Sequence, residues 1–227
     1  MQARAENPAT GESAAVAGTS VLLNPVEQVR LHRSWEHGPF VNWGSGVGDR
    51  TDYKFLSGGY QLGKPLTPVI KAGPLSGQFE LAGNIMPLWQ AYTPAAHTKL
   101  YSCAAGTCAE QIGGGNYYGF SVTPVIFRWN FLTHSSRIQP WFQAAGGLIY
   151  TTHKFPPDVL VNKGVAGGTS VWNFSPQGGI GLHYFTRPGR SIDFGLNAMH
   201  ISSASLGDRN PGVNASLQLQ VGYTFWK

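Results

Sequence analysis

The chain has 227 residues, enough for one domain, and only 12% are charged, against about a quarter in a typical soluble domain. Its net charge of +5 is scattered without a Lys/Arg run, which argues against nucleic-acid binding. No apolar run approaches the ~18 residues of a transmembrane helix; a transmembrane barrel stays open, and a mean hydropathy of −0.14 suits strands that are half polar.

The opening "MQARAENPATGESAAVAGTS" has no basic stretch followed by an apolar one, so no signal peptide is read there. Residues 1–24 are small and polar and read as a disordered tail, leaving 25–227 as the folded unit. From Gly38 onward, strand-like segments alternate with Gly, Pro and Asn punctuation, and helical periodicity is hard to find after residue 30. The segments are 38–47, 53–63, 76–90, 118–132, 138–151, 171–185, 191–203 and 215–226.

Alternation sorts each strand into two faces. In 76–90, Phe79, Leu81 and Ile85 oppose Gln78, Glu80 and Asn84. The following loop, "YSCAAGTCAE", holds Cys103 and Cys108, either as free thiols or, in an oxidising compartment, as a small disulfide loop. No second ligand pair accompanies them, which argues against zinc. In 118–132, Val125, Phe127, Trp129 and Phe131 oppose Arg128 and Asn130. In 171–185, Trp172, Phe174, Ile180, Leu182 and Tyr184 oppose Asn173, Ser175, Gln177 and His183. The last strand sets Leu217, Leu219, Val221, Tyr223 and Phe225 against Ser216, Gln218, Gln220 and Thr224.

Parity alone does not say which face points out. The polar face is rich in Gly, Ser, Asn and Gln, which suits a crowded interior, whereas the apolar face is bulky and ends in aromatics, as a lipid belt does. A soluble lipocalin-like barrel would present far more Lys and Glu to water. The expectation is an all-β fold: an eight-stranded antiparallel transmembrane β-barrel in a bacterial outer membrane. Gln78, Glu80, Asn84, Arg128, Gln143, Gln177, Asp193 and Asn197 would fill it as a hydrogen-bonded plug, with Glu80 or Asp193 partnering Arg128.

In 191–203 the same parity gives an anomaly. Ile192, Phe194, Leu196 and Ala198 lie on the apolar face, and continuing in step brings His200 and Ser202 onto it. Residues i and i+2 sit roughly 6.5–7 Å apart along one face, so an imidazole there can serve a hydroxyl as base. Spacing alone is unspecific: His32/Ser34 and His134/Ser136 repeat it and read as surface pairs.

The wider stretch "HISSASLGDRNPGVN" resembles the C-terminal signature of the lipid A 3-O-deacylases (the PagL family, acyloxyacyl-hydrolase-like outer-membrane proteins). "IQPWFQAAGGLIY" and "NFSPQGGIGLHYF" look like the family's two preceding strands. The resemblance implies an esterase without metal or cofactor, acting on lipid A or lipopolysaccharide from the lipid-facing wall. By position, Ser202 matches the nucleophile and His200 the general base. Asn214 stands where the family has the third triad member, a Glu; a carboxamide can orient the imidazole but offers it no charge. Ser203 replaces the family's Asn after the nucleophile, and Ser203 and Ala204 are the oxyanion-side neighbours. Asp208 is a substitute acid or a plain turn residue before Asn210-Pro211-Gly212. The departures keep a second expectation alive: a non-catalytic barrel with a degenerate site and a structural or binding role.

Overall fold

The computed structural model describes residues 23–160, 169–207, 210 and 214–227. Among the described residues ten strands form: β1 (Glu36–Gly46), β2 (Lys54–Pro65), β3 (Gly77–Tyr92), β4 (His97–Cys103), β5 (Gly106–Ile112), β6 (Asn116–Phe131), β7 (Ile138–Phe155), β8 (Ser170–Arg187), β9 (Arg190–His200) and β10 (Ala215–Trp226). Eight of them close into an antiparallel barrel in the order β1-β10-β9-β8-β7-β6-β3-β2. These are the eight strands the alternation predicts, with ends shifted by a few residues.

The apolar face points out. Ile180 is 62% exposed and Phe127 51%, with Ile85, Leu217 and Leu219 similarly bare. Such a wall is stable only against lipid, since monomers in water rarely expose apolar patches of this extent. Trp43, Tyr118 and Trp172 stand outward near one rim, and Trp35 and Tyr184 near the other. The longer connections (93–115, 156–169 and 201–214) gather at the end away from the chain termini. In transmembrane barrels that end is extracellular, so the termini lie on the periplasmic side.

Inside, Arg128 is fully enclosed and ion-paired to Glu36 (2.8 Å) and Glu80 (3.1 Å). Its Nε and second amino group donate to Gln143 Oε1 (3.2 and 3.0 Å), and Gln143 passes the network on to Asn197 (3.0 Å). The expected partner Glu80 is in place, and Glu36 is a second one. Asp193 belongs to another cluster, 2.7 Å from His183 Nδ1 and accepting from Ser191. Toward the extracellular end the filling changes character: Phe55, Trp89, Ile149, Phe155, Met199 and Ile201 form an apolar cap that polar-face parity does not foresee.

A hairpin and a helix among the described residues lie outside the predicted scheme. Strands β4 and β5 form a separate hairpin in the β3–β6 connection, joined by a Cys103–Cys108 disulfide. Helix α1 (Pro25–His32) starts from Asn24, whose side chain accepts from Glu27 N–H (2.9 Å) while Glu27 reaches back (3.3 Å). It buries Val26 and Val29 against Phe185 and Trp226 at the periplasmic mouth. The tail expected over 1–24 lies outside the described residues up to position 22, and Asn24 itself is the helix cap.

Candidate functional site

At the end of β9 the alternation continues past the last ladder pair. Met199, Ile201 and Ser203 are buried and point inward, while His200 and Ser202 between them are half-exposed on the outer wall. Both neighbouring strands hold this stretch. Ile201 N–H donates to Asn214 O (2.8 Å) on the β10 side, and Ser202 exchanges backbone bonds with Phe174 of β8 (2.7 and 3.0 Å). Ile201, packed in the apolar cap, anchors the backbone between the two polar residues.

Beyond Ser203 the chain turns sharply through Ala204, whose φ of 46° is left-handed and costs a non-glycine residue about 1–2 kcal/mol. The turn brings Ala204 N–H to Ser202 Oγ (3.1 Å). From the other side, Asn210 Nδ2 donates to the same oxygen (2.7 Å). Two N–H donors therefore converge at one hydroxyl on the lipid-facing wall. No hydrogen bond links His200 to Ser202 among the described residues.

Asn214 is not beside the imidazole. Ala215 pairs with His200, so Asn214 falls one residue out of phase; it is buried, and its Nδ2 donates to Ile201 O (3.3 Å). In this register its carboxamide makes no hydrogen bond to His200 among the described residues. Ser203 is likewise buried, so the outward donor next to the serine is the Ala204 backbone. Asp208 lies outside the described residues. The other His-x-Ser pairs sit at the periplasmic end: His32 on the last turn of α1, and His134 and Ser136 exposed in the β6–β7 turn. Asn210 was missed because Asn-Pro-Gly reads first as turn chemistry; its side-chain amide is a donor that no strand pattern reveals.

Beside the serine the outer wall is hollow. Pro124, Gly146, Gly147, Leu148, Phe174 and Pro176 line an apolar groove of about 430 Å³, and Phe174 is the residue bridged to Ser202. A side chain added at Gly146 would meet nothing within 4 Å, so this glycine keeps the groove open. The arrangement offers a hydroxyl, an imidazole two residues away, two converging N–H donors and an apolar berth. That set suits attack on an ester carrying a hydrocarbon chain.

A family model, Lipid A 3-O-deacylase (PagL), matches residues 76–224. No curated protein matches the sequence. Among solved structures, Neisserial surface protein A (NspA) is similar at 13% identity and a TM-score of 0.49, covering 84% of this chain and 96% of that one. The outer membrane enzyme PagL is similar at 17% identity and a TM-score of 0.43, covering 82% and 98%. OprG from Pseudomonas aeruginosa is similar at 9% identity and a TM-score of 0.40, covering 86% and 95%.

Proposed function

Because this outer-membrane barrel belongs to the lipid A 3-O-deacylase (PagL) family, we propose that it hydrolyses the ester holding the hydroxyacyl chain at the 3-position of lipid A. The observation that carries the reading is the convergence of Ala204 N–H and Asn210 Nδ2 on Ser202 Oγ, on the wall that faces lipid. The extracellular end is also the outer-leaflet end, where lipopolysaccharide resides.

In the proposed reaction, lipid A approaches sideways and its 3-linked chain lies in the groove over Gly146. His200 takes the Ser202 proton as Oγ bonds to the ester carbon. The carbonyl oxygen becomes an oxyanion and accepts from Ala204 N–H and Asn210 Nδ2, which release Oγ to do so. The intermediate collapses, the C–O bond to the sugar breaks, and the sugar 3-hydroxyl leaves with the proton from His200. Water, deprotonated by His200, then attacks the acyl-serine; the bond from the acyl carbon to Oγ breaks, His200 returns the proton to Ser202, and the hydroxy fatty acid is freed. None of these steps calls on a metal or cofactor.

Expression in a Gram-negative host followed by mass spectrometry of its lipid A tests the reading. Loss of one hydroxyacyl mass is expected, abolished by Ser202→Ala. His200→Ala should slow the reaction by about 10²–10⁴-fold and Asn210→Ala by about 10²–10³-fold. An unchanged lipid A spectrum, with the barrel folded in the outer membrane, sinks it. One observation favours the rival, a non-catalytic barrel with a degenerate site: among the described residues no carboxylate pairs with His200.

A further inference from the structure

The outer wall is hollowed again across β2, β3 and β6, where the central strand β3 stands four strands from β9 in either direction. There Tyr60, Leu62, Leu81, Ile85, Val122 and Pro124 line a second apolar groove, of about 490 Å³. Its floor is Gly83, directly opposite Leu62. Register shifts between Ala82 and Asn84 on β3, and between Val122 and Val125 on β6, fall at the same level. Bulges of this kind bend a strand, and two facing each other hollow the wall.

The groove has a polar head at its periplasmic end. Trp35 lines it, and the Lys64 ammonium lies 4.8 Å from the centre of the Trp35 ring. Lys64 makes no ion pair or hydrogen bond among the described residues. Arg33 is close by, donating to Leu66 O (3.2 Å), and the connection 66–76 carries Lys71 and no acid. One step further in, His37 Nδ1 and the Tyr60 hydroxyl are 2.6 Å apart on the same outward face. A lone surface lysine would extend its ammonium into water. Here the ammonium stays over an indole at the mouth of an apolar groove, with basic neighbours and no carboxylate, which complements a phosphate attached to a hydrocarbon chain.

We propose that this groove is a second lipid site, built for a glycerophospholipid of the periplasmic leaflet. Its phosphate sits at Lys64 and Arg33, its ester region at the His37–Tyr60 pair, and one acyl chain runs over Gly83. A second copy of the chain is disfavoured as occupant, because a two-fold axis along the membrane normal would bring the two basic rims together. The site does not depend on the deacylase reading: the two grooves adjoin at Pro124, but the polar head at Trp35, Lys64 and Arg33 lies at the periplasmic end and contains no residue of the Ser202 site.

Native mass spectrometry of the full chain, extracted from outer membranes in mild detergent, tests it. One phospholipid is expected on each wild-type barrel. Lys64→Ala should lower the retained fraction about fivefold. Val122→Trp, which fills the groove from outside, should lower it comparably, whereas Arg187→Ala, at the same end under β8, should not. Both test positions face outward, and heat-modifiable migration on gels checks that each variant is folded. Titration with phosphatidylglycerol against diacylglycerol separates phosphate recognition from chain burial. The proposal is overturned by retention that neither variant reduces, by equal affinity for the two probes, by lipid A in the phospholipid's place, or by a dimer mass.

Discussion

His200 faces Ala215 across the β9–β10 ladder, and directly paired residues lie about 4.5–5.5 Å apart between Cα atoms. An acid meant to steady the imidazolium therefore belongs at 215, on the outward face, and not at 214. We expect Ala215→Glu to raise deacylation on the order of tenfold, by giving His200 the charged partner it lacks. Asn214→Glu should not, because it buries an unpaired carboxylate beside Ile201 at a cost of about 3 kcal/mol. Lipid A deacylation in reconstituted vesicles, with the folded fraction read on gels, checks both; rescue by Asn214→Glu would refute the register argument. The outward placement of His200 and Ser202 was legible in the sequence, since both lie on one strand whose parity can be counted. Asn214 was not, because parity does not carry across the β9–β10 connection, whose length resets the phase.

The barrel strands were legible because each has one polar and one apolar face, a signal of period two that needs no knowledge of its neighbours. Hairpin β4–β5 was not: it stands off the barrel with both faces largely exposed, so nothing selects an alternating pattern. Helix α1 escaped because two buried valines make too short a period, although Asn24-Pro25-Val26-Glu27 spells a capped start. Packing between elements was also hidden. Trp141 projects inward with the Arg128 guanidinium 4.8 Å from its ring centre, and it rests against Gly181 of β8. A Cβ at Gly181 would lie 2.2 Å from Phe194 O and 2.3 Å from the indole, so neither backbone nor ring can yield easily. Gly181→Ala should lower unfolding stability by about 1–3 kcal/mol in urea titration. Gly146→Ala, where the new methyl meets nothing, should change it by less than about 0.5 kcal/mol.

At the scale of the molecule, sparse charge and bulky outward faces were enough to reach a lipid-embedded barrel, but which rim faces the cell exterior follows from how the connections distribute. A peptide tag inserted at Gly106, the tip of the disulfide hairpin, should be stained by antibody on intact cells. A tag at Gly189, in the two-residue β8–β9 turn, should be stained only after permeabilisation. The reverse pattern would invert the assignment and move Ser202 to the wrong leaflet. The docking of α1 has a consequence for assembly. Its valines rest on Phe185 and on Trp226, the last residue of the last strand, while Trp35 and Lys227 exchange backbone bonds across the seam. The seat for the helix does not exist until the C-terminal strand has arrived. The first segment of the barrel region to be synthesised is thus among the last to settle, and it latches a cylinder that has already closed.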